Sequence, residues 1–145
     1  MSNTKEILEK YNIKLDTNKS QNYLIDDNKL NIMLENADIQ DNETILEIGA
    51  GIGTLTLPMA KKAKKVIAIE KDPVIVDILK QQIIKEKLTN IEIIKDDALK
   101  VDFPKFDKVV SNLPYQISSP VTFKLLEYPF KKAILMYQLE FAKRM

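Results

Sequence analysis

Thr44-Ile45-Leu46-Glu47-Ile48-Gly49-Ala50-Gly51-Ile52-Gly53 reads as a short apolar strand running into a turn with glycine at every second position. Only a near-bare backbone turns this sharply at a strand end while letting a ligand come close. The helix expected next presents N–H groups that have no partner within it. The spacing is G-x-G-x-G. A dinucleotide fingerprint, G-x-G-x-x-G, would need glycine where Thr54 stands. Glu47 also differs from the apolar residue expected before a pyrophosphate turn. A carboxylate at that point suits the cationic aminoacyl end of S-adenosylmethionine, directly or through water.

Downstream, short apolar segments alternate with helical spacing. Strands are expected at Thr44–Ile48, Val66–Ile69, Ile91–Ile94, Lys108–Val110 and Ala133–Met136. Helices are expected at about 54–63, 73–87 and 119–127, with another starting near Gln138. Upstream, residues 4–12 and 28–37 carry helical spacing, through Ile7, Leu8 and Tyr11 and then Leu30, Ile32, Met33 and Leu34. Asp72-Pro73 supplies an N-cap with proline at the first helical position, and Asn90 marks a turn before the third strand. Near-continuous β-branched strands separated by helices indicate an α/β sandwich around a parallel sheet covered on both faces.

Acidic residues recur at the strand ends. Val66-Ile67-Ala68-Ile69 is followed by Glu70, placed to accept hydrogen bonds from a ribose diol. Gly53 to Glu70 is 17 residues, the length of one helix and one strand. After the third strand, Asp97 is placed to accept from a cofactor adenine amino group, with Ala98 leaving room for the ring. The other reading is that these carboxylates only cap helices and solvate loops; the Lys61-Lys62-Ala63-Lys64-Lys65 run reads as a solvated helix end, with phosphate contact as its alternative.

The fourth strand leads through Ser111 into Asn112-Leu113-Pro114-Tyr115. The lone pair of adenine N6 is delocalised into its ring. The Asn112 amide oxygen and the Leu113 carbonyl are suited to accept its hydrogens and favour a more tetrahedral nitrogen. Pro114 fixes φ and presents that carbonyl rigidly, and Tyr115 offers a face on which a flipped base stacks. Nitrogen becomes cationic on methylation and sheds its proton afterwards, so no strong base is needed. An ordinary turn, with Tyr115 at the core edge, is the plainer alternative.

Composition narrows the chemistry. The 145 residues make one domain, able to bury roughly 68–70% of the surface its unfolded chain exposes. With no Cys and no His, thiolate zinc sites, disulfides, Cys nucleophiles and imidazole bases are all excluded. No metal is expected. The net charge of +1 provides no electrostatic argument for nucleic acid. No apolar run reaches the roughly 18 residues of a membrane helix, and the start of the chain lacks a signal-peptide core. A cytoplasmic monomer is the expectation.

With these motifs in hand, the chain resembles the KsgA-type rRNA adenine N6-dimethyltransferases, relatives of the erythromycin-resistance rRNA methylases, from about residue 10 to its end. Lys19-Ser20-Gln21-Asn22-Tyr23-Leu24 is similar to the family's cofactor-closing motif, with Ser20 in place of Gly and Tyr23 in place of Phe. The lead-in from Lys10 to Ile13 and Thr17-Asn18-Lys19-Ser20 look more like the archaeal and housekeeping branch than the resistance branch. The resemblance implies a Rossmann-like class I S-adenosylmethionine methyltransferase sandwich. It implies cofactor contacts at Asn22, Leu24, Gly49, Glu70, Asp97 and Asn112, beside Glu47, Gly51 and Ala98 from the residues themselves. The catalytic loop becomes Asn112, Leu113, Pro114 and Tyr115. The implied substrate is a pair of adjacent adenosines near the 3′ end of small-subunit rRNA, each dimethylated, in the ribosomal subunit precursor.

The same resemblance implies about five of seven strands, a helical segment over 1–43 with the closing motif, a truncated catalytic domain over 44–145, and no C-terminal helical domain. A non-catalytic RNA- or ribosome-binding module, an inactive cofactor-binding fragment, and a DNA-adenine or protein-glutamine methyltransferase are the rival readings.

Overall fold

A computed structural model describes residues 26–113 and 117–137. The expected helices over 4–12 and from Gln138 onward lie outside them. The elements in order are α1 (Asp27–Ala37), β1 (Thr44–Ile48), α2 (Thr56–Ala60), β2 (Lys65–Ile69), α3 (Pro73–Lys85), β3 (Ile91–Ile94), β4 (Lys108–Asn112), α4 (Ser118–Leu125) and β5 (Lys132–Met136). Five strands form one sheet in the order β3-β2-β1-β4-β5, every pair parallel.

Alternation along the strands sends side chains to two faces. Ile45, Val66 and Val110 join Leu30, Met33 and Leu34 of α1 and Met59 of α2 in one buried cluster. Leu79 of α3 closes on Ala68 and Ala50. The other face carries Leu46, Ile48, Ile67, Ile69 and Val109, covered by Val121 and Leu125 of α4 and by Phe103 and Phe106. Both faces are thus apolar, which is why these strands read as continuous hydrophobic runs rather than alternating ones.

Capping sets the helix starts. Asp26 accepts from the Lys29 N–H at 2.8 Å, and Asp72 from the Val74 and Ile75 N–H groups at 2.9 and 3.4 Å, ahead of Pro73. Three helices are shorter than their periodicity suggests. α4 covers Ser118–Leu125 instead of 119–127. α2 covers Thr56–Ala60 instead of 54–63, because the chain must turn back by Lys65 to enter β2. α3 stops at Lys85 instead of 87, and Lys87 takes a left-handed φ of 56°. Ile32, expected on the apolar stripe of α1, is 48% exposed. Within the lysine run, Lys61, Lys62 and Lys64 are exposed, but Lys65 starts β2 and pairs with Glu92 of β3 at 2.6 Å.

The amino ends of the strands are locked by polar contacts. Lys108 Nζ meets Glu43 Oε1 at 2.9 Å and donates to the Ala37 and Asp38 carbonyls at 2.9 Å each, tying α1 to the sheet. Asn90 donates its side-chain amide to the Ala60 and Ala63 carbonyls at 2.8 and 3.1 Å, joining the end of α2 to the start of β3. These contacts leave the opposite, carboxyl ends of the strands to build a site.

Candidate functional site

β1 lies where the strand order reverses, with β2 on one side and β4 on the other. In open α/β sheets the crevice at such a switch point takes the ligand. Here it opens because β1 and β4 pair only through Ile45–Lys108 and Leu46–Val109. Beyond that level the strands part, and the Ile48 N–H donates to Ser111 Oγ at 2.8 Å in place of a strand carbonyl. One residue further on, β1 becomes the glycine turn and β4 reaches Asn112.

The turn is anchored on β2. The Gly49 and Ala50 N–H groups both donate to the Ile69 carbonyl, at 2.8 and 3.1 Å. Gly49, Gly51 and Gly53 have φ of 72°, 60° and 99°, a region open to glycine and costly for other residues. At Gly53 a Cβ would also sit 2.9 Å from Leu79 Cδ1 and 3.2 Å from Leu57 Cγ, so this glycine lets α3 pack against the turn.

Two carboxylates lie buried beneath the turn. Glu47 is 2% exposed and accepts a hydrogen bond from the Thr56 hydroxyl. Glu70 is 7% exposed; its Oε1 accepts from the Gly51 N–H at 2.9 Å and its Oε2 from the Asp72 N–H at 3.1 Å. Burial pushes the Glu47 carboxyl well above the usual carboxylate range; the Thr56 hydroxyl opposes this and the Glu70 charge adds to it. Burial also raises Glu70, against the Asp72 and Gly51 N–H groups, with the Asp72 charge adding to the rise. Neither carboxylate has an ion-pair partner among the described residues. A buried anion without a counter-charge is costly, so a cationic ligand above the turn relieves both groups. The donor set therefore fits a ligand with a ribose and a positively charged end.

Asp97 is half-buried after β3. Its Oδ1 accepts from the Leu99 N–H at 2.9 Å, and its carbonyl accepts from the Lys100 and Val101 N–H groups, so it closes a local turn. The methyl group of Ala98 is buried in the apolar cluster with Ile48 and Ile69. Leu113 is fully buried in the same cluster, and its N–H donates to the Met136 carbonyl at 3.0 Å, which fixes the Asn112–Leu113 peptide to β5. Pro114, Tyr115, Asn22 and Leu24 lie outside the described residues.

The fold thus brings Glu47, Gly49, Gly51, Glu70 and Asn112 to one end of three adjacent strands. Sequence reasoning missed two contributors, Ser111 and Thr56. Thr56 follows the glycine turn at the spacing of one helical start, a signal that was available. Nothing local announces the partner of Ser111. Among the described residues, no cluster of acidic side chains is arranged to hold a metal ion, and no helix is long and apolar enough to cross a membrane.

Residues 12–145 match the family of ribosomal RNA adenine dimethylases. Over all 145 residues the chain is 99% identical to a protein of Methanosphaera stadtmanae named "Probable ribosomal RNA small subunit methyltransferase A", of which it covers 54%. A dimethyladenosine transferase from Plasmodium falciparum is 41% identical, with a TM-score of 0.77 over 83% of this chain and 45% of its own. The 23S rRNA methyltransferase ErmE is 31% identical, with a TM-score of 0.73 over 83% of this chain and 49% of its own. The chain spans about half the length of the curated relatives it matches.

Proposed function

Because the chain belongs to the ribosomal RNA adenine dimethylase family, we propose that it carries the cofactor site and acceptor loop of an S-adenosylmethionine-dependent enzyme. In this reading the enzyme converts two adjacent adenosines near the 3′ end of small-subunit rRNA to N6,N6-dimethyladenosine. The observation that supports it best is the parting of β1 from β4, which sets a glycine turn over two buried carboxylates that have no ion-pair partner among the described residues, beside Asn112.

S-adenosylmethionine supplies a methyl group already activated on a sulfonium, so the chain's own residues have to bind and aim. Glu70 holds the ribose hydroxyls with the carboxylate oxygens that the Gly51 and Asp72 N–H groups orient. Glu47 attracts the cationic aminoacyl end from beneath the turn. Asp97 accepts from the adenine amino group, and Asn22 and Leu24 close over the cofactor.

On the acceptor side, the Asn112 amide oxygen and the Leu113 carbonyl accept the two N6 hydrogens of the target base, and Pro114 and Tyr115 hold and stack it. The hydrogen bond from the Leu113 N–H to the Met136 carbonyl holds the Asn112–Leu113 peptide, the one that precedes that carbonyl. After transfer the nitrogen is cationic and releases its proton to water. Catalysis is then mainly positioning and electrostatics, consistent with a sequence that contains no histidine or cysteine.

The test is nucleoside mass spectrometry after incubating the chain, S-adenosylmethionine and undermethylated small ribosomal subunits. N6,N6-dimethyladenosine is the expected product. Label accepted by DNA adenine or by protein glutamine, and not by the subunits, would replace the substrate assignment. Cofactor binding without turnover on any of them would make the chain a binding module.

A further inference from the structure

Lys124 of α4 sits half-buried against the loop that joins β3 to β4. Its Nζ donates to the Ala98 carbonyl at 2.7 Å and to the Val101 carbonyl, and lies 4.3 Å from the centre of the Phe103 ring. Phe103 is itself held: its ring lies 4.9 Å from that of Tyr128, whose hydroxyl oxygen accepts from the Phe103 N–H at 3.2 Å. The segment clamped in this way is the turn that Asp97 closes through the Leu99, Lys100 and Val101 N–H groups.

We propose that Lys124 is a positioning residue for adenine recognition: its ammonium group gathers the Ala98 and Val101 carbonyls and so fixes where the Asp97 carboxylate meets the cofactor base. The geometry carries this in three ways. The two carbonyls flank the turn and converge on one cation, so the turn cannot shift without breaking a charge-assisted bond. The Phe103 face holds the same cation from another side. The clamp also arises from the helix that follows the acceptor loop, so the adenine end of the cofactor site and the acceptor side share one anchor. This inference rests on the placement of the cofactor adenine at Asp97 given above.

Its test compares two ligands that differ only at the group Asp97 reads, S-adenosylhomocysteine and S-inosylhomocysteine, by calorimetry on the full chain. A carboxylate aimed at the amino group favours the adenine form by at least about tenfold, since the oxo form offers an acceptor to an acceptor. Lys124→Met keeps the apolar stem and removes the donor. The expected result is a loss of most of that preference, with binding of the inosine form changed by less than about twofold. A merely structural lysine would weaken both ligands equally and leave their ratio intact; that outcome overturns the proposal.

A second measurement needs no ligand. In Lys124→Met, amide exchange at Leu99, Lys100 and Val101 accelerates while Ile67 and Ile69 of β2 keep their protection; unchanged exchange at the three turn amides also overturns the proposal. Should Lys124→Met not fold, Lys124→Arg carries the same comparison. It keeps the charge but replaces a point donor by a planar fork; a reduced ratio is expected and an unchanged one is fatal. A wild-type chain that binds both ligands equally, or neither, removes the adenine placement itself and the clamp's role with it.

Discussion

Ile48 and Ser111, 63 residues apart, meet through a single buried hydrogen bond of 2.8 Å from the Ile48 N–H to the Ser111 hydroxyl oxygen. It is made at the level where β1 and β4 cease to share backbone bonds, so a side chain replaces the ladder and the strands can separate without leaving that donor unpaired. Ser111→Ala removes the acceptor and strands a fully buried N–H. A loss of about 1–3 kcal/mol in urea unfolding is expected. A loss under about 0.5 kcal/mol would mean that the bond contributes nothing net.

In the proposed function Asn112 serves the acceptor and Glu70 the methyl donor, and the two roles can be separated. Asn112→Ala should lower single-turnover methylation of small subunits by about 100-fold or more and leave the cofactor Kd within about threefold. Glu70→Ala should do the reverse, weakening the cofactor by about 10–100-fold, the worth of hydrogen bonds to a charged group. Calorimetry alongside the methylation assay separates the two. Parallel losses in both variants would mean that neither residue has a distinct role.

Gly53 combines a φ of 99° with a Cβ position 2.9 Å from Leu79 Cδ1. Gly53→Ala therefore faces backbone strain and crowding together, about 2–4 kcal/mol of stability. Thermal unfolding checks this. A shift in Tm no larger than that of an exposed surface substitution would show that α3 can retreat without cost.

Glu43 supplies an acid-sensitive contact at the other end of the sheet. Burial works against its charge, but the Gln40 N–H together with Lys108 and Lys131 holds its carboxyl below the usual range. A carboxyl lowered by folding stabilises fully above its unfolded pKa, and that contribution fades as pH falls through the lower, folded value. The Glu43 contribution should therefore decline below about pH 4.5, where unfolded carboxylates take protons, while the raised Glu47 and Glu70 act in the opposite direction. Glu43→Gln should be destabilised by about 3 kcal/mol at pH 7, the low end for breaking a buried pair, because Lys108 keeps two carbonyl partners. Its stability should also fall less steeply between pH 5 and 3. Parallel pH profiles for the variant and wild type would assign the acid sensitivity to other carboxylates.

What was legible in the sequence follows from how locally each feature is encoded. β1, β2 and β4 were readable because both their faces are covered, leaving unbroken apolar runs such as Val66–Ile69, while β3 and β5 are only part-buried and were readable as short apolar runs between turns. The glycine turn was readable because each glycine answers to its own φ. The helices were read too long where tertiary closure, not periodicity, ends them, as at Lys61 after α2 and Lys87 after α3. At the site, the strand-end carboxylates were visible as a pattern. Ala98 has the small side chain that was read as leaving room for a ring, and the structure adds that its methyl group packs in the apolar cluster. The bond from Ile48 to Ser111 and the clamp from Lys124 to Ala98 join residues 63 and 26 positions apart, and only the sheet order brings those together.

That sheet order also ranks the steps of folding. Three of the four strand pairings join segments 21 to 25 residues apart, as in Thr44–Lys65, Val66–Ile91 and Lys108–Lys132, whereas Ile45–Lys108 closes a loop of 63. By chain statistics that closure costs about 1 kcal/mol more than the local ones, and it creates only two register pairs in return. The half with β1, β2 and β3 can therefore assemble first, with the β4–β5 half docking on it late. The seam between donor turn and acceptor loop is then the last joint made and the first to open. Partial unfolding should separate the two reactants' sites before it dismantles either one.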